Sequence, residues 1–429
     1  MQPFEPQQTL SKDSIASAWS LRNYALAMND SSRHSADHRG TRLTRRLLFV
    51  ITLLVFSTAG TIHFQTPLLG QIAKEFHASP SAIGWIPTLT FGGFFAGTLF
   101  LVPLGDRLDK RPLILGQVIF LIVAVLAMAA APSLAIAAIA SFFIGFCCGI
   151  SQHAVPLVSE LADPSERGRL VGTVLSGVFT GLLFARVVSG QIAEHLDWRW
   201  AYVFAAALIA AILCAAWFTL PSVPPKSRLP YLELLRSVGE LFIKHPRIRH
   251  PSAVQFFLGL CYGAFWATIA GMLLTVHGLG PGVVGLMGIP GAAGIFIARP
   301  AGRWMDRSGI VPVVTAGIAL VVAAYLTFSF ATASIAFVIV GAMLLDCGLR
   351  ATMVANQTQV TSAAPEARSR STTVFTSHMW GGNSVGALIA SLAYTQWGWL
   401  GVCAIGICAS SIAFVIARTT NRPAATVRP

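Results

Sequence analysis

Seven ionisable side chains in or beside the long apolar runs of this 429-residue sequence are candidates for chemistry. Burying an ionised group away from water is costly unless a partner compensates for it, so such a residue is usually retained for a reason. Each of the seven could carry a proton or bind a polar molecule. These candidate proton or substrate residues are Asp346, Arg350, Arg186, Glu160, His63, His153 and His378.

Asp346 is the carboxylate that lies near the middle of an apolar run. Arg350 follows four residues later, so on a helix the two side chains share a face and can pair. Two interpretations follow: a structural ion pair, or a switch that opens when Asp346 takes up a proton. Glu160, near the end of another apolar run, is the second carboxylate that could carry a proton.

Arg186 has no acidic residue three or four positions away on its own helix. It therefore needs a partner on another helix, a water-filled cavity, or an anionic group of a bound solute. The three histidines titrate near neutral pH and can relay protons. Each is also compatible with a hydrogen-bonded packing role, and both interpretations stay open.

The composition indicates what must position these residues. The chain is 55% hydrophobic and only 11% charged, with a mean hydropathy of +0.68, whereas a soluble domain has about a quarter charged residues. Runs of about 20 apolar residues, enough to span a bilayer, recur along the chain. The sequence predicts an all-α membrane protein with twelve transmembrane helices. The predicted spans are 47–68, 81–103, 112–131, 134–158, 168–193, 200–220, 252–275, 281–300, 311–330, 333–357, 371–394 and 399–417.

The basic residues indicate the orientation. Of the 30 Lys and Arg residues, 25 lie in the N-terminal tail, alternate loops, the central loop and the C-terminal tail, while the opposite loops hold Lys74 and Arg199. This asymmetry is the positive-inside pattern of multi-pass membrane proteins. It predicts a protein of the bacterial inner membrane with both termini in the cytoplasm. The net charge of +13 is then explained by topology, and no nucleic-acid partner is expected.

Motifs for cofactor or enzyme chemistry are missing from the sequence. All seven cysteines lie inside apolar runs, so neither a disulfide nor a metal site is expected. The glycine-rich stretches 92–97 and 288–294 also lie in apolar runs rather than after strands, which favours close helix contacts over phosphate binding. No cofactor is predicted, and an enzyme or receptor is disfavoured. Without a nucleotide-binding motif, any transport would be driven by a gradient.

The predicted organisation has five parts. A disordered cytoplasmic tail (1–46), within which Met28 is an alternative start, precedes a six-helix bundle (47–220). A central cytoplasmic loop (221–251) contains apolar residues at helical spacing, which predicts an amphipathic helix on the inner membrane surface. A second six-helix bundle (252–417) and a cytoplasmic tail (418–429) complete the chain.

Landmarks in the two bundles repeat at a constant offset. GDRLDKRP at 105–112 matches GRWMDRSG at 302–309, with Asp106 and Asp306 200 residues apart, and the segment 164–169 matches 365–370 at an offset of 201. This predicts two six-helix repeats of the same orientation. Transporters built from parallel repeats hold their solute near the midplane, between halves that rock against each other.

With these features the chain resembles the major facilitator superfamily, whose loop motif has the form G-x-x-x-D-R-x-G-R-R/K. The first copy departs from this pattern at Val102 and Asp109. The resemblance implies gating, in which charges at the helix mouths hold the halves closed in one state. The predicted gating residues are Asp106, Arg107, Lys110, Arg111, Gly302, Asp306, Arg307 and Gly309.

Within the superfamily the chain is similar to bacterial drug/proton antiporters and sugar-efflux permeases, although Ala185-Arg186 stands where antiporters carry Gly-Pro. The resemblance implies a monomeric secondary transporter that exports a small organic solute in exchange for protons. A proton-coupled uptake symporter and a facilitative uniporter of the same fold remain alternatives. With one mid-span carboxylate against two arginines, we expect a neutral polar or anionic solute rather than a cation.

The orientation leads to a first testable prediction. Reporter enzymes fused after Arg111 and within 221–250 should both give cytoplasmic signals, because both points lie in loops of the basic set. A reporter fused near Arg199, in the opposite set of loops, is the matched control and should give an external signal. An external signal at Arg111 would contradict the predicted number of helices.

Overall fold

The computed structural model describes residues 43–224, 230–364 and 367–420. Most of the predicted N-terminal and C-terminal tails, and the alternative start at Met28, lie outside these residues. Within the described part the chain is helical and contains no strand. The predicted all-α membrane fold is therefore confirmed.

Eleven continuous helical segments are long and apolar enough to cross a membrane. The last of them breaks at Gly398, whose backbone is not helical (φ 60°, ψ −153°), so the described chain has twelve spans, as predicted. They are Arg45–Glu75 (α1), Pro80–Arg107 (α2), Lys110–Ala129 (α3), Leu134–Leu161 (α4), Arg167–His195 (α5), Trp198–Thr219 (α6), Pro246–His277 (α7), Pro281–Ser308 (α8), Ile310–Phe328 (α9), Ile335–Ala363 (α10), 368–397 (α11) and 399–420 (α12).

Local sequence explains where the helices begin and end. Side chains of Thr44, Ser133 and Ser334 accept hydrogen bonds from the first turns of α1, α4 and α10, which satisfies amides that have no helical partner. α7 ends at Gly278 in the left-handed region (φ 67°), a conformation that favours glycine. Several boundaries extend the predicted spans by a few residues, because polar residues prolong the helices beyond the apolar runs.

The two halves have matching internal packing. α1 packs on α5 and α2 on α4 in the first half, as α7 packs on α11 and α8 on α10 in the second. Trp198 and Trp399, at equivalent places in the repeats, are both buried, and their indole N–H groups donate to Glu75 and to the backbone oxygen of Phe328. The halves meet where α2 contacts α11 and where α5 contacts α8.

The central segment contains one further helix, Tyr231–Lys244, called the surface helix here. Leu234, Val238 and Leu241 on its apolar face are buried, mainly against the end of α10 and the start of α11. The Tyr231 hydroxyl donates to the backbone oxygen of Phe100 on α2, at 2.8 Å. The surface helix therefore touches both halves.

The two ends of the bundle differ in how closely the halves approach. We call the end that carries the α2–α3 and α8–α9 connections the loop-motif face. At the opposite face, α5 and α8 are in contact, since the Gly282 N–H donates to Glu194 on α5 at 2.9 Å. Toward the loop-motif face, residues 294–308 of α8 pack on α9 and α10 rather than on α5, and Gly168 and Gly172 of α5 are exposed. The gap between α5 and α8 thus opens toward the loop-motif face.

Candidate functional site

A group of buried polar and aromatic side chains lies where the two halves meet, and we call it the central cluster. It consists of His63 (α1), Arg186 (α5), Tyr262 and Trp266 (α7), and Asp346 (α10). Arg186 Nη2 donates to the Tyr262 hydroxyl oxygen at 2.5 Å and lies 3.2 Å from His63 Nδ1. Its guanidinium carbon sits 3.8 Å above the Trp266 ring, a favourable cation–π distance.

The hydrogen-bond pattern fixes the roles of these atoms. Arginine can only donate, so His63 Nδ1 accepts and the ring proton of a neutral His63 sits on Nε2. His63 Nε2 then donates to the Tyr262 oxygen, 3.3 Å away, which already accepts from Arg186. Both lone pairs of that oxygen are used, which leaves the Tyr262 hydroxyl hydrogen free to donate to a bound molecule.

Arg186 is only 6% exposed, yet its neighbours do not neutralise it. Among the residues that the structure describes, it forms no ion pair within 4.0 Å, and its Nε atom lacks a hydrogen-bond partner. A buried guanidinium has five N–H groups and prefers a planar, bidentate anion. Arg186 and Tyr262 therefore offer unused donors that point to an acceptor-rich ligand.

Asp346 lies beside this group and is shared by two arginines. It is 5% exposed and is attracted by both Arg350 and Arg186. The close ion pair that spacing allowed between Asp346 and Arg350 is not present in the described chain: the Arg350 guanidinium carbon instead lies 4.9 Å above the Phe179 ring on α5. Arg350 thus reaches across to the other half, and Asp346 has no close ion pair among the described residues.

Glycines of the 288–294 stretch explain why Asp346 can sit here. A methyl group at Gly291 would come within 3.0 Å of the Asp346 carboxylate oxygen, and one at Gly294 within 2.6 Å of the Asp346 backbone oxygen. α8 and α10 can approach this closely only because these positions lack a side chain. The stretch makes the close helix contact that the sequence analysis expected of it.

The other three candidate residues lie outside the central cluster. Glu160 forms an ion pair with Lys110 at 2.5 Å, between α4 and α3. The His153 ring packs against Gly105 on α2. The Nδ1 atom of His378 is 2.7 Å from the backbone oxygen of Val374, on α11 near the surface helix.

The residues predicted to form the gate lie at the loop-motif face. The Ser369 hydroxyl donates to Asp106 at 3.4 Å, which links α11 of one half to α2 of the other. Arg111 donates to the backbone oxygen of Trp217 at 2.9 Å. In the second copy Asp306 and Arg307 are exposed, and Gly309 has a φ of 83°. Among the described residues, a contact between the halves is therefore seen for the first copy and not for the second.

Asp109, one of the two departures from the family motif, has a structural role that the sequence did not reveal. Its carboxylate caps α3 by accepting from the Arg111 N–H, and it also accepts from the Ser222 hydroxyl and the Val223 N–H. Burial alone would raise the pKa of this carboxyl group, but these hydrogen bonds hold its pKa below the usual 3.8. Asp109 thus ties the start of the central segment to α3.

Replacing Asp109 should loosen that tie. Asp109→Ala should destabilise the protein by about 1 kcal/mol, the typical cost of losing a helix cap, and should release residues 221–224 and increase protease cleavage in the central segment. Because the pKa of Asp109 is lowered in the folded state, its contribution is complete above pH 3.8 and is lost as the pH falls through the folded-state pKa. Thermal unfolding and limited proteolysis in detergent would measure both effects.

Asp197→Ala is the matched control for that experiment. Asp197 caps α6 in the same way, by accepting from the Arg199 N–H, but it lies at the opposite face of the bundle. The Asp197→Ala variant should lower the stability of the protein without increasing protease cleavage in the central segment. Equal cleavage in both variants would show that Asp109 does not tether the central segment.

Phe179 is a second residue that the sequence analysis missed. It lies seven positions before Arg186, which is two turns along the same face of α5. That spacing was visible in the sequence, but an isolated phenylalanine in an apolar helix carries no signal of its own. Only its contact with Arg350 of the other half distinguishes it.

Comparisons with known proteins identify the family to which this chain belongs. The family model of the Major Facilitator Superfamily matches residues 48–299 and 251–429. The chain belongs to the Major Facilitator Superfamily. It is 32% identical over 365 residues to the uncharacterized transporter YgaY of Escherichia coli O157:H7, which covers 85% of this chain and 93% of the relative. It is 31% identical to the probable transporter SCO4007 of Streptomyces coelicolor, over 84% of each chain.

Solved structures of this superfamily share the fold at low sequence identity. The nucleoside transporter NupG superposes with a TM-score of 0.72 at 13% identity, covering 88% of this chain and all of that one. A bacterial homologue of the lysosomal transporter Spinster, in an inward-facing unoccupied conformation, gives 0.69 at 16% identity, covering 89% and 98%. Together these comparisons show a multi-pass membrane transporter of the superfamily.

Proposed function

We propose that this transporter is a proton-coupled secondary transporter, and that it binds a small organic solute carrying an anionic or acceptor-rich polar group at the central cluster. The observation that carries the proposal is the buried Arg186, which lies between the halves with unused donors and no carboxylate pair among the described residues. A buried charge without a close ion pair is usually retained for a function, and a planar anion satisfies a guanidinium best.

The gating and domain assignments belong to this proposal. The loop-motif face is cytoplasmic, because the basic loops lie there, and the gap between α5 and α8 at that face is the route to the cytoplasm. The two six-helix halves, 47–220 and 252–417, rock about the central cluster. The contact between Asp106 and Ser369 then forms part of the gate. The protein acts in the bacterial inner membrane, as a monomer.

The charges also bear on the direction of coupling. Ionised Asp346 and an anionic solute would compete for the attraction of the same two arginines. Protonation of Asp346 removes that competition, so a proton and an anion bind together more easily than either binds alone. This linkage favours co-transport of proton and anion, which is the symport alternative, over the exchange that the resemblance to efflux permeases implies.

Transport by the purified protein in liposomes would test the proposal. Labelled carboxylates, phosphate esters and sugars would be supplied outside, with the outside either more acidic than the inside or at equal pH. Saturable uptake that an acidic exterior accelerates is the expected result for at least one anion. Acceleration by an acidic interior would instead establish exchange, and uptake that ignores the pH gradient would establish a uniporter. Failure of every anion, with transport of quaternary-ammonium dyes, would overturn the assigned solute class.

A further inference from the structure

A second cavity lies away from the central cluster, along the seam where α2 meets α11, and we call it the seam cavity. It has a volume of about 730 Å³, within the range of about 300–1,000 Å³ that holds small organic ligands. It is walled by α2, α7, α11 and the surface helix. Its lining includes Phe95, Phe100, Gly239, Phe242, Ser377 and His378.

The seam cavity borders the lipid-facing surface. Phe95 and Phe100 of its wall are 37% and 44% exposed on the outside of the bundle, in helices that span the membrane. Three tilted aromatic rings lie between it and the central cluster. The ring centroid of Trp380 lies 4.2 Å from that of Phe94 and 5.8 Å from that of Phe91, and the Phe91 centroid lies 6.4 Å from that of His63. The seam cavity is therefore a distinct site beside the bilayer.

Two adjacent polar groups, Ser377 and His378, line this mostly apolar wall, while a third, Ser384, already donates to the backbone oxygen of Thr88. The Ser377 hydroxyl is buried and has no hydrogen-bond partner among the described residues. His378 Nδ1 must donate to the Val374 carbonyl oxygen, which only accepts, and its Nε2 is then an acceptor. The wall thus supplies one donor and one acceptor, next to the Phe242 ring that stacks on His378 at 4.3 Å.

We propose that the seam cavity binds a single-chain amphiphile of the fatty-acid type, taken from the bilayer. Its alkyl chain lies against Phe95, Phe100 and Phe242. Moving the chain there from the bilayer costs little free energy, because both environments are apolar. Its protonated carboxyl group accepts a hydrogen bond from Ser377 at the carbonyl oxygen and donates one to His378 from the hydroxyl, which satisfies a Ser377 hydroxyl that is otherwise buried unpaired. A plain alkane would leave both groups unsatisfied, and a two-chain lipid would leave its second chain outside the seam cavity.

Photo-crosslinking tests this proposal independently of transport. The probe is hexadecanoic acid that carries a diazirine on its chain, added to the full-length protein in liposomes. Peptides that contain 235–242 and 374–385 should be labelled, and excess unlabelled hexadecanoic acid should suppress that labelling. Gly239 lines the cavity and has open space beside it, so Gly239→Leu should fold and fill the cavity. We expect it to reduce labelling by about tenfold, because overfilling a cavity opposes binding.

Two further variants sharpen the test. Gly116→Leu on α3, where nothing lies within 4 Å either, is the matched control outside the seam and should keep wild-type labelling. Ser377→Ala should reduce labelling by about fivefold, the effect of one lost hydrogen bond. The proposal is overturned if Gly239→Leu labels like the wild type, or if a diazirine phospholipid labels the same peptides equally well. If the anion transport assigned to the central cluster fails while this labelling holds, only the proposed function is lost.

Discussion

Arg186→Ala should reduce solute transport by about a hundredfold, because removing one partner of a buried charged contact costs about 2–5 kcal/mol and each 1.4 kcal/mol is tenfold. The variant removes the guanidinium that contacts His63, Tyr262 and Trp266. It would leave those three groups facing a gap and would remove the positive charge that receives an anion. Binding of the labelled solute to purified protein, together with initial uptake rates in liposomes, would measure the loss.

Conservative changes separate binding from folding in this experiment. Arg186→Lys keeps the charge but not the planar fork, so it should fold, bind weakly and retain a small fraction of the rate. Tyr262→Phe removes only a hydroxyl and should cost about fivefold, as one hydrogen bond does. Arg299→Ala is the matched control, since Arg299 is an exposed arginine of α8 outside the central cluster. Wild-type transport by Arg186→Ala would contradict the assigned site.

Asp346→Asn should abolish uphill transport driven by a pH gradient while leaving exchange between equal pools of solute. Asparagine preserves the shape of the side chain beside Gly291 and Trp266 but cannot gain or lose a proton. The fixed neutral state resembles protonated Asp346, so anion binding should persist and lose its dependence on pH. Accumulation ratios and exchange rates, measured on the same liposomes, distinguish the two activities.

Glu160→Gln tests the rival position for the proton. Glu160 is paired with Lys110 away from the central cluster, so its replacement should weaken the packing of α4 on α3 and leave pH-driven accumulation intact. Intact coupling in Asp346→Asn combined with lost coupling in Glu160→Gln would move the proton site to Glu160. Loss of folded Asp346→Asn protein from the membrane would instead show that Asp346 has a structural role, the other interpretation of this residue.

The sequence by itself determined the features that depend on composition and spacing. Apolar runs of bilayer length specify helices whatever those helices pack against. In the hydrocarbon core no water is present to bind backbone N–H and C=O groups, so each run must satisfy them within its own helix. The constant offset between Asp106 and Asp306 indicated the repeat, and the rarity of charge in those runs singled out Arg186 and Asp346. Each of these features can be recognised within one segment of the sequence or by aligning two segments.

Only the tertiary structure decided which of these residues act together. Arg186, His63 and Tyr262 come from three helices in two halves, and nothing in their spacing indicates that they meet. The i, i+4 spacing allowed Arg350 to pair closely with Asp346, whereas the structure places its guanidinium on Phe179 of the opposite half. Helical periodicity fixes which face of a helix a residue occupies, but the neighbour on that face depends on how whole helices pack. A binding site made between helices is therefore determined at the level of the fold.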